Sequence, residues 1–375
     1  MKILHITSYY PPHIGGVEMV AKDVVDALSD VADQVVLCFN HEKGYGEETE
    51  NGVKIIRTKC VAKISSQAIS FQFKKVLKKV LAEFRPDYIH FHYPNPLAAH
   101  YLMKIGFDAK LIVYWHSDII KQKFLKNFFV GETKRMLKKA YKIVATSPLY
   151  IDKSDFLPMF KDKITVVPNA INEKRLVVTE ENVKEAQEIR KKYDGCVLGF
   201  NLGRHVPYKG LKYLIKASEK IDSNVRILLA GTGPLTEQLK KQAAGDEKII
   251  FLGLIPIQKI VSYFLACDMI LFPSITKNEA FGIALAEGMY FSKPAVTFTI
   301  EGSGVNYVSV NGVTGIECPS FDTDAYAAAV NKLAEDEQLR AEYGNNARER
   351  VIGNFTSAQF KRNIRKLYGV KEEDK

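Results

Sequence analysis

Two glutamates, three glycine-flanked loops and one histidine carry the residue types that could bind and act on an anionic ligand. The segment Asn278-Glu279-Ala280-Phe281-Gly282-Ile283-Ala284-Leu285-Ala286-Glu287-Gly288 follows an apolar run, Met269-Ile270-Leu271-Phe272, that reads as a buried parallel strand ending at Pro273. A strand, a short polar loop and a helix opening at Phe281-Gly282 leave backbone N–H groups free at a helix N-terminus, a ready anion site. If one helix covers the segment, Glu279 and Glu287 point roughly to one side, about 12 Å apart along the axis. That spacing suits a ligand with hydroxyl clusters at two ends and negative charge between them, the outline of a nucleoside diphosphate sugar. The alternative is a solvated amphipathic helix with two ordinary surface glutamates.

Gly203-Arg204-His205-Val206-Pro207-Tyr208-Lys209-Gly210 also lies between a strand and a helix pattern, and its two long cations suit a diphosphate. Near the N-terminus, Gly15-Gly16-Val17-Glu18 opens a helix and lets backbone approach a ligand closely. It lacks the spacing of a dinucleotide fingerprint. Gly231-Thr232-Gly233-Pro234 makes another such junction without a charged side chain. His116 follows a strand pattern at residues 111–115, where it could hydrogen-bond a sugar hydroxyl or stabilise charge near a reacting carbon. His90 and His92 read as structural histidines, because no cysteine or carboxylate completes a metal set. Asp322-Thr323-Asp324 has the outline of a metal–diphosphate motif but precedes an Ala-rich helix pattern, so a helix cap explains it better. No metal site is expected. No nucleophile elbow, phosphate-binding Walker loop or kinase signature occurs.

Short apolar runs at residues 3–7, 35–39, 53–57, 88–91, 111–115, 143–145 and 164–167 alternate with amphipathic ones at 18–28, 71–84, 96–105 and 124–140. Strand–helix alternation implies right-handed crossovers and a doubly wound parallel sheet. The pattern restarts with strand runs at 197–202, 227–230, 249–252, 269–272 and 295–298, and helix runs at 211–221, 235–244, 257–266, 281–289 and 324–334. The fold class expected is α/β: two doubly wound Rossmann-like domains facing across a cleft. Their bounds are 1–172 for the first domain, 173–194 for a linker and first helix, 195–355 for the second domain, and 356–375 for a helix packing back toward the first domain.

At 375 residues, with 46% hydrophobic and 26% charged, the chain fits two globular domains rather than a disordered segment. No run of about 18 apolar residues exists to span a membrane. Five scattered cysteines without a C-x-x-C pair fit a reduced, cytoplasmic protein. The net charge of +10 concentrates in two stretches. Lys121, Lys123, Lys126, Lys134, Arg135, Lys138, Lys139 and Lys142 interleave with Phe124, Leu125, Phe128, Phe129, Met136 and Leu137. Lys74, Lys75, Lys78 and Lys79 accompany Phe71, Phe73, Val76, Leu77 and Val80. Basic helices with aromatic faces suit peripheral contact with an anionic membrane; the alternative packs the apolar faces on the sheet and solvates the lysines. Nucleic acid is not an expected partner, since no binding motif accompanies the charge.

Taken as an ordered set, Gly15-Gly16-Val17-Glu18, His116, Gly203-Arg204…Lys209-Gly210 and Glu279-Ala280-Phe281-Gly282…Glu287 resemble the signature of family 4 glycosyltransferases, of GT-B fold, along nearly the whole chain. The resemblance implies a retaining, metal-independent hexosyltransferase that needs no cofactor beyond its nucleotide-sugar donor. It implies that Gly15 and Gly16 meet the distal phosphate, that Arg204 and Lys209 neutralise the leaving diphosphate, and that Glu287 holds the ribose. Glu279, Ala280, Phe281, Gly282 and Ile283 would contact the donor sugar and phosphate, with His116 near the reacting face. The segment 301–315 is similar to members that build bacterial surface polysaccharides, which makes mannose from GDP-mannose the first donor expected and a UDP-hexose the second. The acceptor expected is a glycan or lipid-linked glycan. A nucleotide-sugar 2-epimerase of the same fold and a non-catalytic nucleotide-sugar binding module are the rival readings.

Overall fold

The computed structural model describes residues 1–13, 15–42, 44–64, 67–118, 123–222 and 224–370, and the side chains of all of these except 63, 64, 67 and 123–129. The chain forms two compact units, Met1–Pro168 with Phe360–Lys375, and Asn169–Gln359.

The first unit contains strands β1 (Lys2–Ile6), β2 (Asp33–Phe39), β3 (Gly46–Glu50), β4 (Val53–Thr58), β5 (Ala62–Ile64), β6 (Gln67–Ile69), β7 (Tyr88–Tyr93), β8 (Lys110–Trp115), β9 (Lys142–Ala145) and β10 (Ile164–Val166). Eight of them form a sheet ordered β10-β9-β8-β7-β1-β2-β4-β3, and β5 with β6 forms a separate two-stranded ribbon. Every pairing in the large sheet is parallel except β3 with β4. Near-continuous apolar runs make the inner strands, because helices cover both faces of such a sheet and leave no polar side. Strand β3, Gly-Glu-Glu-Thr-Glu, shows no such run and lies at the sheet edge. Charge across the pair helps hold it there, Glu47 with Lys54 at 2.6 Å and Glu48 with Arg57 at 2.6 Å. A row of acidic side chains also discourages pairing with a second edge.

Helix Ser357–Leu367 buries Phe360, Ile364 and Leu367, and Arg365 Nε donates to the Ala27 carbonyl at 3.0 Å. Tyr368 follows it, edge-on to Tyr88 at 5.0 Å between ring centres.

The second unit contains β11 (Val197–Leu202), β12 (Val225–Ala230), β13 (Ile249–Gly253), β14 (Met269–Phe272), β15 (Ala295–Phe298) and β16 (Gly315–Cys318). They form one parallel sheet ordered β13-β12-β11-β14-β15-β16. The winding direction reverses between β11 and β14, and a doubly wound sheet binds ligands outside the carboxyl ends of the strands at such a point. The charged segment Glu180–Lys192 is a helix of this unit, capped by Thr179 and Asn182 in a reciprocal box. Asn182 also donates to the Gln258 carbonyl at 2.8 Å, and Arg190 pairs with Asp268, so the helix is fastened to helix Ile257–Ala266 and to the end of β14.

Helix Glu337–Asn354 was not expected; the face it buries is made of Gly344, Ala347 and Val351, too small a stripe to mark an apolar period. In helix Phe73–Phe84 the apolar face is spent on the core, with Phe73, Leu77 and Val80 buried and Lys74, Lys75, Lys78 and Lys79 exposed. Met136 and Leu137 are likewise buried beneath exposed Lys134, Arg135, Lys138 and Lys139. Lys121 and the side chains of Lys123, Phe124, Leu125, Lys126, Phe128 and Phe129 lie outside the described residues. Phe71, two residues before helix Phe73–Phe84, is 81% exposed.

Candidate functional site

In the second unit, the loops after β11 and β14 leave adjacent strands at the reversal of winding. Lys209 and Glu279, from one loop each, form an ion pair with Nζ to Oε2 at 2.5 Å, and their side chains are only 13% and 12% exposed. Ser274 Oγ donates to the same carboxylate oxygen at 3.0 Å. The Lys209 ammonium also lies over the Phe272 ring, 4.8 Å from its centre. The sequence places both residues at the site; their pairing is a contact across seventy positions that no local pattern encodes.

The backbone explains how the lysine is aimed. Gly210 takes φ of 66°, and a Cβ there would stand 1.9 Å from the Pro273 carbonyl oxygen. Only glycine lets the two loops come this close. Arg204 is exposed and has no ion-pair partner among the described residues.

Glu279 and Glu287 do not share a helix. Gly282 stands in the left-handed region (φ 89°) as N-cap, and the helix runs from Ile283 to Tyr290. The expected helix start at Phe281-Gly282, and the axial separation drawn from it, are corrected by that cap: Glu279 belongs to the preceding loop. The loop is braced from behind. Gly304 N–H donates to the Ala280 carbonyl at 3.0 Å, and the Ser303 hydroxyl donates to that of Glu279. Phe281 is buried edge-on to Phe355. With Ala280 and Phe281 turned to these supports, the N–H groups of Ile283 and its neighbours are left at the helix start without a side-chain cap.

Glu287 is half-buried on that helix, and the desolvation pushes its carboxyl up to about 7, while the charge of Arg175 works against the rise. Arg175 was not among the sequence candidates, and nothing in its local pattern, a short 3₁₀ turn Glu173–Arg175, could have shown it. Asp322 is a helix cap: its carboxylate accepts from Asp324 N–H at 3.1 Å and Ala325 N–H at 2.9 Å. Asp324 pairs with Lys220 at 2.6 Å. Among the described residues no group of three His, Cys, Asp or Glu is placed to hold a metal ion.

In the first unit, Gly15 is the extended N-cap of helix Gly16–Ala27 and provides no side-chain cap; the Glu18 carboxylate folds back over this turn and accepts from its own N–H. Glu18 lies in that turn, nearly buried, 3.3 Å from His13 Nδ1. Burial holds its carboxyl above the usual range, with a backbone hydrogen bond and His13 opposing.

His116 lies just past β8, anchored by its N–H to the Tyr93 carbonyl at 3.0 Å. Its Nε2 is 3.0 Å from His92 Nδ1, and Tyr114 stacks on its ring at 4.6 Å. Burial lowers the His116 imidazole to about 3, so it is neutral at physiological pH. Asp118 fixes the turn by accepting from Trp115 Nε1 at 3.0 Å and Ser154 Oγ at 2.7 Å. His90 and His92 are fully buried in the core of the unit.

Comparison with known proteins identifies this pair of doubly wound α/β units as a glycosyltransferase scaffold. Residues 14–175 match the model described as glycosyltransferase family 4, and residues 182–350 the one described as glycosyl transferases group 1. The chain is 30% identical over 363 residues to the O-antigen chain mannosyltransferase C of Escherichia coli, covering 95% of each. It is 29% identical over 363 residues to a D-rhamnosyltransferase of Pseudomonas aeruginosa, covering 95% of this chain and 93% of that one. A sucrose-phosphate synthase from Thermosynechococcus elongatus has the same fold, with a TM-score of 0.80 over 98% of both chains at 19% identity. The chain belongs to the family 4, group 1 glycosyltransferases and is a GT-B enzyme of that class.

Proposed function

We propose that this glycosyltransferase moves a hexose, in the first instance mannose from GDP-mannose, onto a glycan or lipid-linked glycan in surface polysaccharide synthesis. The reaction retains anomeric configuration and uses no metal. The observation that carries the donor side is the Lys209–Glu279 pair at the winding reversal of the second unit. Charge on a leaving diphosphate grows in the transition state, and fixed cations there lower the barrier more than mobile ones. Lys209 is fixed by Glu279 and the Phe272 face, and its remaining hydrogens serve the diphosphate with Arg204. Glu279 uses Oε2 for Lys209 and Ser274, which leaves Oε1 for a sugar hydroxyl. Uncapped N–H groups at Ile283 complete the anion site of the second unit, and Glu287 takes the ribose hydroxyls; in the first unit, Gly16 offers a backbone N–H suited to a phosphate. Neutral His116 acts as a hydrogen-bonding partner of the sugar rather than as a cation. The relatives' names support a manno-configured donor, since mannose and D-rhamnose differ only at C6.

The test is slow donor hydrolysis across GDP-mannose, UDP-glucose, UDP-GlcNAc and UDP-galactose. Fastest loss of GDP-mannose, abolished in Lys209→Met and Glu279→Gln, is expected. Preference for a UDP-hexose would transfer the reading to that donor. A C2-epimerised nucleotide sugar formed without acceptor would make the enzyme an epimerase, and binding of every donor without turnover would reduce it to a binding module.

The exposed lysines of helix Phe73–Phe84, with Lys134, Arg135, Lys138 and Lys139, support peripheral contact of the first unit with anionic lipid at the cytoplasmic face of the cell membrane. Each well-placed cation is worth roughly 1 kcal/mol there. No helix among the described residues is long and apolar enough to cross a membrane. Flotation with phosphatidylglycerol vesicles, lost with Lys74, Lys75, Lys78 and Lys79 all changed to glutamine, is the expected result. Equal flotation of that variant would end this part of the proposal.

A further inference from the structure

Four histidines form one buried array in the first unit. His5 of β1 stands opposite His90 of β7 in the parallel register, and His92 lies two residues further along β7, on the same face. Ring centres are 5.6 Å apart for His5 and His90, 4.8 Å for His90 and His92, and 5.3 Å for His92 and His116. His92 and His116 are nearly coplanar, 12° between rings, and Tyr114 lies against both. A core histidine ordinarily satisfies itself on backbone or a neighbouring polar side chain. His92 does not: its Nδ1 faces His116 Nε2 at 3.0 Å, and its Nε2 is buried with no protein partner.

Burial keeps both imidazoles neutral, so each carries a single N–H and one of the two must donate to the other. The choice is not symmetric. Were His92 to accept, its only hydrogen would sit on the buried Nε2 with nothing to receive it, and orphaned buried N–H groups are rarer than orphaned acceptors. Were His92 to donate from Nδ1, Nε2 would keep only a lone pair. His116, receiving at Nε2, then carries its hydrogen on Nδ1, the nitrogen with no hydrogen-bond partner among the described residues.

We infer that His92 is a positioning residue for the transfer reaction: by donating its Nδ1–H to His116 Nε2, it fixes His116 as a hydrogen-bond donor toward an oxygen of the donor substrate. The inference rests on the reading above that His116 meets that substrate. His92 touches no substrate itself; it sets the tautomer and, with Tyr114, the plane of the ring that does.

Three measurements test it. In the wild-type protein, ¹⁵N-histidine NMR should show His116 protonated at Nδ1 and His92 at Nδ1; His116 protonated at Nε2 would overturn the inference, whatever the enzyme turns over. With GDP-mannose, His92→Ala should lower kcat roughly 10- to 100-fold, the effect of one oriented hydrogen bond, with KM little changed. His92→Asn, whose side-chain amide can donate from near the Nδ1 position, should recover most of that loss; recovery by His92→Leu instead would show that packing alone is at work. In a His116→Ala background, His92→Ala should change kcat by less than about twofold, since positioning needs the residue positioned. A full loss in that background would show that His92 acts independently of His116. If no sugar nucleotide is turned over by the wild type, the functional reading fails on its own, and the NMR result still decides the tautomer.

Discussion

Lys209 Nζ and Glu279 Oε2 meet at 2.5 Å across two loops, each side chain keeping about an eighth of its surface. A pair so enclosed is held by its own complementarity, and removing one member leaves the other's charge poorly compensated. Lys209→Met and Glu279→Gln should each destabilise the second unit by about 1–3 kcal/mol. The double variant should recover part of that loss while remaining as inactive as either single one. Urea unfolding together with donor hydrolysis measures both; strictly additive stability changes would mean the pair does not act as a unit.

Gly210→Ala tests the geometry beneath the pair. The added Cβ would meet the Pro273 carbonyl oxygen at 1.9 Å, and φ of 66° disfavours any side chain. The loops must separate, carrying Lys209 from Glu279. Turnover is expected to fall about 10²-fold or more, the scale of a lost oxyanion-type donor, with the fold retained by circular dichroism. Near-normal turnover would show that the lysine needs no fixed loop.

Glu287 gives the second unit an unusual pH response. Its folded-state value of about 7 lies above an unfolded value near 4.5, so the folded unit binds the extra proton between those limits. Its contribution is present at low pH and is lost as pH rises through 7, by up to about 3 kcal/mol. Glu287→Gln should therefore stabilise this unit at pH 8 and leave it unchanged at pH 4, while weakening nucleotide binding. Thermal unfolding at the two pH values, without ligand, provides the measurement. Destabilisation at pH 8 would contradict the assigned burial.

The first unit should respond in the opposite sense. Burial lowers His5 to about 4 and His116 to about 3, and holds His90 and His92 well below the usual histidine range. Their folded values lie below the unfolded one, so stability is full above about pH 6.5 and falls on acidification, by as much as about 1.4 kcal/mol per pH unit for each ring. Glu18, whose carboxyl is raised, opposes this as a single group. The sole tryptophan, Trp115, is fully buried in this unit, so its fluorescence reports on this unit alone. Denaturant midpoints followed by that signal should drop steadily between pH 6.5 and 5; a flat profile would mean the array is solvated.

The legibility of the chain followed burial. Strands β11, β14 and β15 could be bounded to the residue because inner strands of a parallel sheet are apolar on both faces and are cut off sharply by the polar loops that follow. Strand β3 is built from glutamates on an edge, and β16 is four residues with a glutamate inside, so neither carries a periodic signal. At the site, residue types were readable but relationships were not. Arg204, Lys209, Glu279 and Glu287 could be picked out by charge and by position after a strand. That Glu279 leaves the helix follows from the left-handed Gly282, and that it pairs with Lys209 follows from strand order; both are properties of the assembled sheet. His92 looked like core filling for the same reason, since its partner is on another strand.

Helix Ser357–Leu367 has a consequence for how the protein is made. Its buried face and Tyr368, which hydrogen-bonds His90 Nδ1 at 2.5 Å, belong with the unit whose first strand begins at Lys2. During vectorial synthesis the contiguous stretch Asn169–Gln359 can therefore finish folding while the N-terminal unit still lacks its closing piece. The unit begun first is thus completed after the contiguous one, and His90 gains its Tyr368 partner only once the residues beyond Gln359 have emerged.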